Sequence, residues 1–370
     1  MKILLRIPLS TYSGYGNDGI GLTRALIRRG ADVYLDPVLI QAPIPEDIAL
    51  LLTKPLQAPF DLTIVHVDPG ALEITEEQKR ASGVTVGWTM WEWSNLAWCK
   101  GRSKFREKWK NFDALIGYDP VSAGALAQYA HKNQPVLTVQ GGFDPEPWEY
   151  VERDWFGDRF GFCMNGQLHD RKNPFVAIQA FQELKADPEV EFEGAELHLH
   201  TTSPGLHSAM EDVIPKLRIH YAAWPQSLVK EFYAAQHVLL APSRGEGKNL
   251  PALEMQSTGG VAVATNWGGH TMWLNKEYAY PLDYQLMAMD GAYPDTLNAS
   301  ASTEHMKQIM LHLYQNRAEA KRKGELASAI IPQMCSWDAV VERLFLSLRD
   351  QVDGGAHLWD TVQRMVGTES

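Results

Sequence analysis

Cysteine is scarce: the 370 residues hold three, Cys99, Cys163 and Cys335. They are odd in number, far apart and without C-x-x-C spacing. A disulfide framework or cysteine-held zinc is therefore not expected, and a reducing cytoplasm fits. No apolar run reaches the ~18 residues that span a bilayer. The opening stretch, MKILLRIPLS, lacks the long apolar core and small-residue cleavage site of a secretory signal and reads as a first strand. A basic excess is missing too. Lys and Arg number 34 against 45 Asp and Glu, a formal charge of −11, which argues against a broad nucleic-acid surface. No basic amphipathic helix marks a membrane dock. There is no internal repeat and no low-complexity tract. With 45% hydrophobic and 21% charged residues, the chain is not of the disordered class.

What is present is alternation. Apolar runs rich in Val, Ile and Leu lie at 2–8, 31–36, 61–67, 84–90, 113–118 and 135–140. They lack strict alternation, as strands covered on both faces do. Helical stretches fall between them, at 21–30 and 121–132 among others. Glycines, prolines and acids then cluster at 141–158. A second series follows at 160–166, 195–202, 216–223, 237–243, 261–267 and 278–284, with helices at 173–184 and 250–259. Past residue 300 the pattern is helical. The fold class expected is α/β: two doubly wound, Rossmann-like domains facing across a cleft, with ligands at the C-terminal ends of the strands. The first domain is expected over 1–150, the second over 151–335, and C-terminal helices over 336–370.

Gly14-Tyr-Gly16-Asn-Asp-Gly19 satisfies G-x-G-x-x-G, and Asp36 ends the next strand. That is close to a dinucleotide fingerprint and keeps an NAD(P)-dependent oxidoreductase open as an alternative. In the fingerprint, however, the first glycine follows its strand directly, whereas here Leu9 to Ser13 intervene. The other readings are a loop before a helix, or a glycine loop that lets a substrate approach the backbone.

The most informative segment is HVLLAPSRGEGKNLPALEMQSTGGVAVATNWGG, 237–269. It reads as strand, glycine-rich loop, helix, strand, loop. Glu246 lies in the first loop and Glu254 inside the helix. Pro251 suits a first helical turn, whose free N–H groups form an anion site. Carboxylates at two places around that site suit a ligand with phosphate in the middle and hydroxyl-rich groups at both ends.

Glu246-Gly247-Lys248-Asn249-Leu250-Pro251-Ala252-Leu253-Glu254, in this context, resembles the signature of retaining GT-B glycosyltransferases, the glycogen-synthase-like and mannosyltransferase group. Met164-Asn-Gly166-Gln167, followed by Arg171-Lys172-Asn173, is similar to the stretch that opens the second domain of that family. There Gln167 stands where the family has Arg, and Lys172 where it has Lys. Gln140 to Asp144 resembles the interdomain turn. Ser336-Trp337-Asp338 resembles the C-terminal stretch, whose last helix would pack back on the first domain. The resemblance implies transfer of a sugar, with retention, from a nucleotide diphosphate sugar to an acceptor hydroxyl by a front-face mechanism. Glu246, Lys172 and Arg171 are the implied catalytic residues. Gly247, Lys248, Asn249, Leu250, Glu254 and Gln167 are the implied donor contacts. Glu246 would hold the sugar, Glu254 the ribose, and Lys172 the diphosphate, with Arg171 replacing the charge absent at Gln167.

A UDP- or GDP-sugar is the expected donor, with no other cofactor and no metal. The acceptor is open among glycan, lipid, protein and modified base. A sugar-nucleotide-binding protein or epimerase of the same fold is the further alternative.

Trp88, Trp91, Trp93, Trp98 and Trp109 fall within 22 residues. Trp91 and Glu92 follow a strand of the first domain, beside the acceptor in the implied arrangement. With Gly14 and Gly16 they form the expected acceptor side. The competing reading makes these tryptophans core or lid residues. His198-x-His200 lies on a strand without a third ligand nearby and reads as structural. His66, at a strand end, is a minor candidate.

Overall fold

The computed structural model describes residues 1–11, 13–97, 99, 102–202, 209–289 and 295–366. Trp98 lies outside them. The chain divides into two compact units: Met1–Asp144 with Ala288–Leu297 and Cys335–Ser370, and Pro145–Met287 with Asn298–Met334.

The first unit contains strands β1 (Lys2–Arg6), β2 (Pro8–Ser10), β3 (Asp32–Leu35), β4 (Leu39–Gln41), β5 (Phe60–His66), β6 (Ser82–Thr89), β7 (Ala114–Gly117) and β8 (Val136–Thr138). Its helices are α1 (Gly14–Arg28), α2 (Glu46–Leu51), α3 (Glu76–Arg80), α4 (Phe105–Trp109) and α5 (Pro120–Ala127). Six strands form one parallel sheet in the order β3-β1-β5-β6-β7-β8, while β2 and β4 pair separately. The order reverses between β1 and β5, and a crevice opens at such a reversal.

Helix α1 begins at Gly14, capped by the Ser13 side chain on Gly16 N at 3.1 Å. Gly14 and Gly16 are therefore helical residues, not a loop, which corrects the loop expectations; β2 and residues 11–13 stand between β1 and the helix, so Gly14 does not follow that strand directly as the dinucleotide fingerprint has it. The reason is packing. A Cβ on Gly16 would run into the Ser10 backbone, and one on Gly19 into the Pro8 carbonyl.

The second unit contains β9 (Phe160–Asn165), β10 (Ala195–Thr201), β11 (Leu217–Tyr221), β12 (Val238–Ala241), β13 (Val261–Thr265) and β14 (Tyr280–Leu282). They form a parallel sheet in the order β11-β10-β9-β12-β13-β14. This is the 3-2-1-4-5-6 order of a dinucleotide-binding sheet. Its helices are α6 (Pro174–Ala186), α7 (Ala209–Val213), α8 (Gln226–Ala234) and α9 (Leu250–Ser257). Their apolar faces cover strands whose centres are buried on both sides: Phe162, Leu197, Leu199, Val238, Val261 and Val263 are each fully buried.

Two short strands, β15 (Tyr284–Ala288) and β16 (Leu297–Ala301), pair with each other, and Ser302 then caps the first of the C-terminal helices. Then come α10 (Thr303–Gln315), α11 (Arg317–Cys335), α12 (Trp337–Gln351) and α13 (Gly355–Val366). Helices α12 and α13 count with the first unit, where Val340, Leu344, Phe345 and Leu348 join the core of its sheet. No helix of the described residues is long and apolar enough to cross a membrane.

Candidate functional site

In the second unit the strand order reverses between β9 and β12. The chain leaving β9 turns at Gly166, whose φ of +129° suits glycine. It makes one turn of 3-10 helix at Asp170–Lys172 and enters α6 through Asn173. The chain leaving β12 forms the loop 242–249 and enters α9 through Asn249, whose φ is 62°. The two loops are joined by Arg244 N donating to Arg171 O at 2.8 Å.

Three predicted residues meet there. Lys172 Nζ lies 2.6 Å from Glu246 Oε1, and Arg171 Nη1 lies 3.2 Å from Glu246 Oε2. Arg171 also donates to the Gly245 carbonyl at 2.7 Å. Glu246 is 5% exposed. Burial opposes its ionisation, but Lys172 and Arg171 outweigh that and hold the carboxyl well below the usual range. Gln167, by contrast, is exposed in the turn.

The loop 242–249 is braced from the side of β13. Gly269 N donates to Glu246 O at 2.8 Å, and a Cβ at Gly269 would collide with the Gly247 backbone. The Trp273 indole donates to the Lys248 carbonyl at 2.8 Å. Asn249 Nδ2 donates to His270 Nε2 at 2.9 Å, while His270 Nδ1 donates to Thr265 O at 2.8 Å. Burial lowers the His270 imidazole to about 4, so it is neutral and that pattern fixes its tautomer. Sequence reasoning missed His270 and Trp273. The signal was the Gly268-Gly269 pair just before them.

Leu250 opens α9, and Glu254 lies on it at a separate point from Glu246. Its Oε2 accepts from the Tyr233 hydroxyl at 3.1 Å. Glu254 keeps part of its surface exposed. Burial nonetheless pushes its carboxyl up to about 7, against the pull of Tyr233 and Lys248. The two carboxylates are thus poised differently, Glu246 as an anion and Glu254 near its titration point.

In the first unit Trp91 is 5% exposed within an aromatic core and donates to Asn95 O at 2.8 Å. Its ring is therefore a core element, which corrects the expectation of a sugar-stacking face. Glu92 is half-buried in the same loop. At the reversal of this sheet stands a polar cluster that the sequence only hinted at through His66. Tyr118 donates to Asp18 Oδ2 at 2.5 Å, and its oxygen is 2.8 Å from His66 Nε2. His66 Nδ1 donates to Trp88 O at 2.9 Å. All three side chains are fully buried. Among the described residues no cluster of His, Cys, Asp and Glu is arranged to hold a metal.

Residues 159–287 match the family model described as Glycosyl transferases group 1. No curated protein matches the sequence. Among solved structures, the chain is similar to a glycosyltransferase from Rickettsia africae, with a TM-score of 0.63 and 13% identity over 94% of this chain and 98% of that one. It is also similar to HepE from Anabaena, solved with UDP and glucose, with a TM-score of 0.57 and 13% identity over 95% and 100%. The third is TarM of S. aureus, with a TM-score of 0.56 and 11% identity over 81% of this chain. This chain spans 57% of TarM. These likenesses establish the two-unit GT-B fold, and the family match covers the second unit's sheet.

Proposed function

We propose that the protein is a retaining glycosyltransferase that moves a sugar from a nucleotide diphosphate sugar to an acceptor hydroxyl. One observation carries the reading: Lys172, Arg171 and Glu246 converge at the strand-order reversal inside the matched domain. Without ligand, Glu246 neutralises both cations. An arriving diphosphate offers them a stronger partner. Glu246 is then left facing the sugar, where its ionised oxygens accept from hydroxyls. The first-turn N–H groups of α9 add a further positive pole.

As the bond to the sugar breaks, negative charge grows on the diphosphate, and fixed cations act most strongly there. Lys172 stabilises that charge, and Arg171 supplies what Gln167 lacks. The leaving phosphate takes the acceptor's proton in front-face attack, so no side-chain base is required. Glu254 meets the ribose. A UDP-sugar is the first donor to try, since HepE, a relative in fold, was solved with UDP and glucose. These residues supply the charge by themselves, so we propose that no metal is needed.

The test is a thermal-shift and transfer screen across UDP-, GDP-, ADP- and dTDP-sugars, with and without EDTA. A bound donor raises the melting temperature by mass action, and released nucleotide diphosphate reports turnover. Stabilisation by one nucleotide class, unaffected by EDTA, is expected. No stabilisation by any donor, or rescue only by a divalent cation, overturns the reading. Conversion of the donor without consumption of an acceptor would reassign the chain as an epimerase.

A further inference from the structure

Behind Glu254 runs a line of hydrogen bonds that ends at a histidine. Tyr233 Oη lies 3.1 Å from Glu254 Oε2 and receives Asn165 Nδ2 at 2.6 Å. Asn165 Oδ1 lies 2.7 Å from His200 Nδ1, and His200 Nε2 lies 2.9 Å from the Ala222 carbonyl. The His200 ring is stacked on Trp224, with centroids 3.8 Å apart and planes 6° from parallel. Tyr233 is fully buried and His200 is 5% exposed. The four side chains come from four elements, β9, β10, α8 and α9, so no local motif accounts for the line.

Its donor and acceptor count has two solutions. Both His200 nitrogens face carbonyl oxygens, and a neutral imidazole has only one N–H. With His200 as imidazolium, every bond points one way: His200 to Asn165, Asn165 to Tyr233, and Tyr233 to an ionised Glu254. With His200 neutral, its proton stays on Nε2 against Ala222. The Asn165 amide then turns over to donate to Nδ1, and its oxygen takes the Tyr233 hydroxyl. Tyr233 no longer donates to Glu254, which completes the line only as a carboxylic acid donating to Tyr233. One proton has left His200 Nδ1 for solvent and one has been taken up at Glu254 Oε2, so the two arrangements hold equal numbers of protons. A neutral His200 beside an ionised Glu254 leaves one bond unmade, which is costly in a buried line.

We propose that His200 is a positioning residue for Glu254: its protonation sets the direction of the Asn165 and Tyr233 hydrogen bonds, and so whether Glu254 meets a ligand as carboxylate or as acid. Other charged groups face the line as well. Lys248 acts on Glu254, favouring the carboxylate. Cys163 lies near Tyr233, and Arg153 donates to its backbone carbonyl. His220 of β11 lies beside His200 and opposes its protonation. Burial favours the neutral form of both end groups. The link to nucleotide affinity rests on Glu254 holding the ribose, as proposed above; the coupling between the two ends does not.

The experiment is a pH titration of the ligand-free protein by ¹⁵N-histidine NMR, with the His200 signal assigned by its loss in His200→Phe. The His200 midpoint is expected to fall by about half a unit or more in Glu254→Gln, and by a similar amount in Tyr233→Phe. Tyr233→Phe keeps both titratable groups but removes a bond that favours the Glu254 carboxylate, so the Glu254 midpoint is followed by ¹³C NMR in the same variant, and a His200 shift not matched by loss of the Glu254 charge separates the relay from attraction through space. Asn165→Ala cuts the line at another link and serves if Tyr233→Phe folds poorly. A His200 midpoint unchanged in Tyr233→Phe or Asn165→Ala overturns the proposal. In a second arm, UDP, GDP and ADP affinities are measured against pH for wild type and His200→Phe. A changed pH profile for the nucleotide that binds is expected. Coupling seen by NMR with no nucleotide bound would leave the relay standing and remove the ribose role of Glu254.

Discussion

The Lys172 ammonium and the Glu246 carboxylate lie 2.6 Å apart, one on the turn after β9 and the other on the loop after β12. Each strand of the reversal thus contributes one member of an ion pair that nothing local in the sequence would bring together. A buried charge left without its partner is costly, so each holds the other in place until a ligand competes.

Lys172→Ala should slow sugar transfer by about two orders of magnitude, comparable to losing one oxyanion donor. The turnover rate should suffer more than the apparent binding constant, because the charge it meets grows in the transition state. Steady-state kinetics with saturating donor check this, and wild-type rates would sink the donor-site model. Arg171→Ala should cost less, about tenfold, because Lys172 and the α9 terminus remain.

Glu254→Gln should weaken binding of the bare nucleotide as well as the full donor, by roughly 1.5–3 kcal/mol for one lost charged hydrogen bond. Calorimetry with nucleoside diphosphate and with inorganic pyrophosphate separates the contributions, since only the former carries a ribose. Equal losses for both would move Glu254 to the diphosphate.

The same substitution should act oppositely on stability. A carboxyl raised from an ordinary 4.5 to about 7 by burial contributes stability below its unfolded value and loses it as pH rises through the folded one. At pH 8, Glu254→Gln should therefore be more stable than wild type, by about 1–2 kcal/mol once partial exposure is allowed for. At pH 4 the two should coincide. Denaturant melts at the two pH values test this. Glu246 has the reverse sign: its contribution is present above the ordinary carboxyl value and fades as pH falls below it.

Asn249→Ala should cost about 1–3 kcal/mol, combining a lost amide bond to buried His270 with a left-handed backbone that alanine resists. Asn249→Gly relieves the second term and not the first. If both variants melt at the same temperature, backbone conformation contributes nothing there.

Gly16→Ala should destabilise by about 1–3 kcal/mol or more, since the new methyl meets the Ser10 backbone. NADH titrated against wild type should show no fluorescence change. Saturable NADH binding would restore the dinucleotide reading of Gly14 to Gly19.

Most strands were legible because a parallel sheet covered on both faces leaves dense runs of Val, Ile and Leu. Strand β4 was not, since Leu39, Ile40 and Gln41 are all exposed and carry no burial pattern. The Gly14–Gly19 motif misled for a physical reason: close packing of a helix on a strand requires the same residue as close approach to a phosphate. Arg171, Lys172 and Glu246 stand out in the sequence through their motif. Their mutual contact, and the reach of Glu254 through Tyr233 and Asn165 to His200, depend on which strands are neighbours, and spacing along the chain does not carry that. Trp91 was misplaced because an aromatic beside a strand end reads alike whether it faces a ligand or a core.

The loop 242–249, held by Gly269, His270 and Trp273, has kinetic consequences. Its backbone groups are fixed before any ligand arrives, so little conformational entropy remains to be lost at this loop on encounter. Stopped-flow binding of nucleoside diphosphate should then give an observed rate that rises linearly with concentration and does not level off. His270→Ala, which frees Asn249, should introduce a plateau. The residues behind the loop would then govern how quickly the site fills, while in the proposed reaction Lys172 and Glu246 govern what happens once it is full.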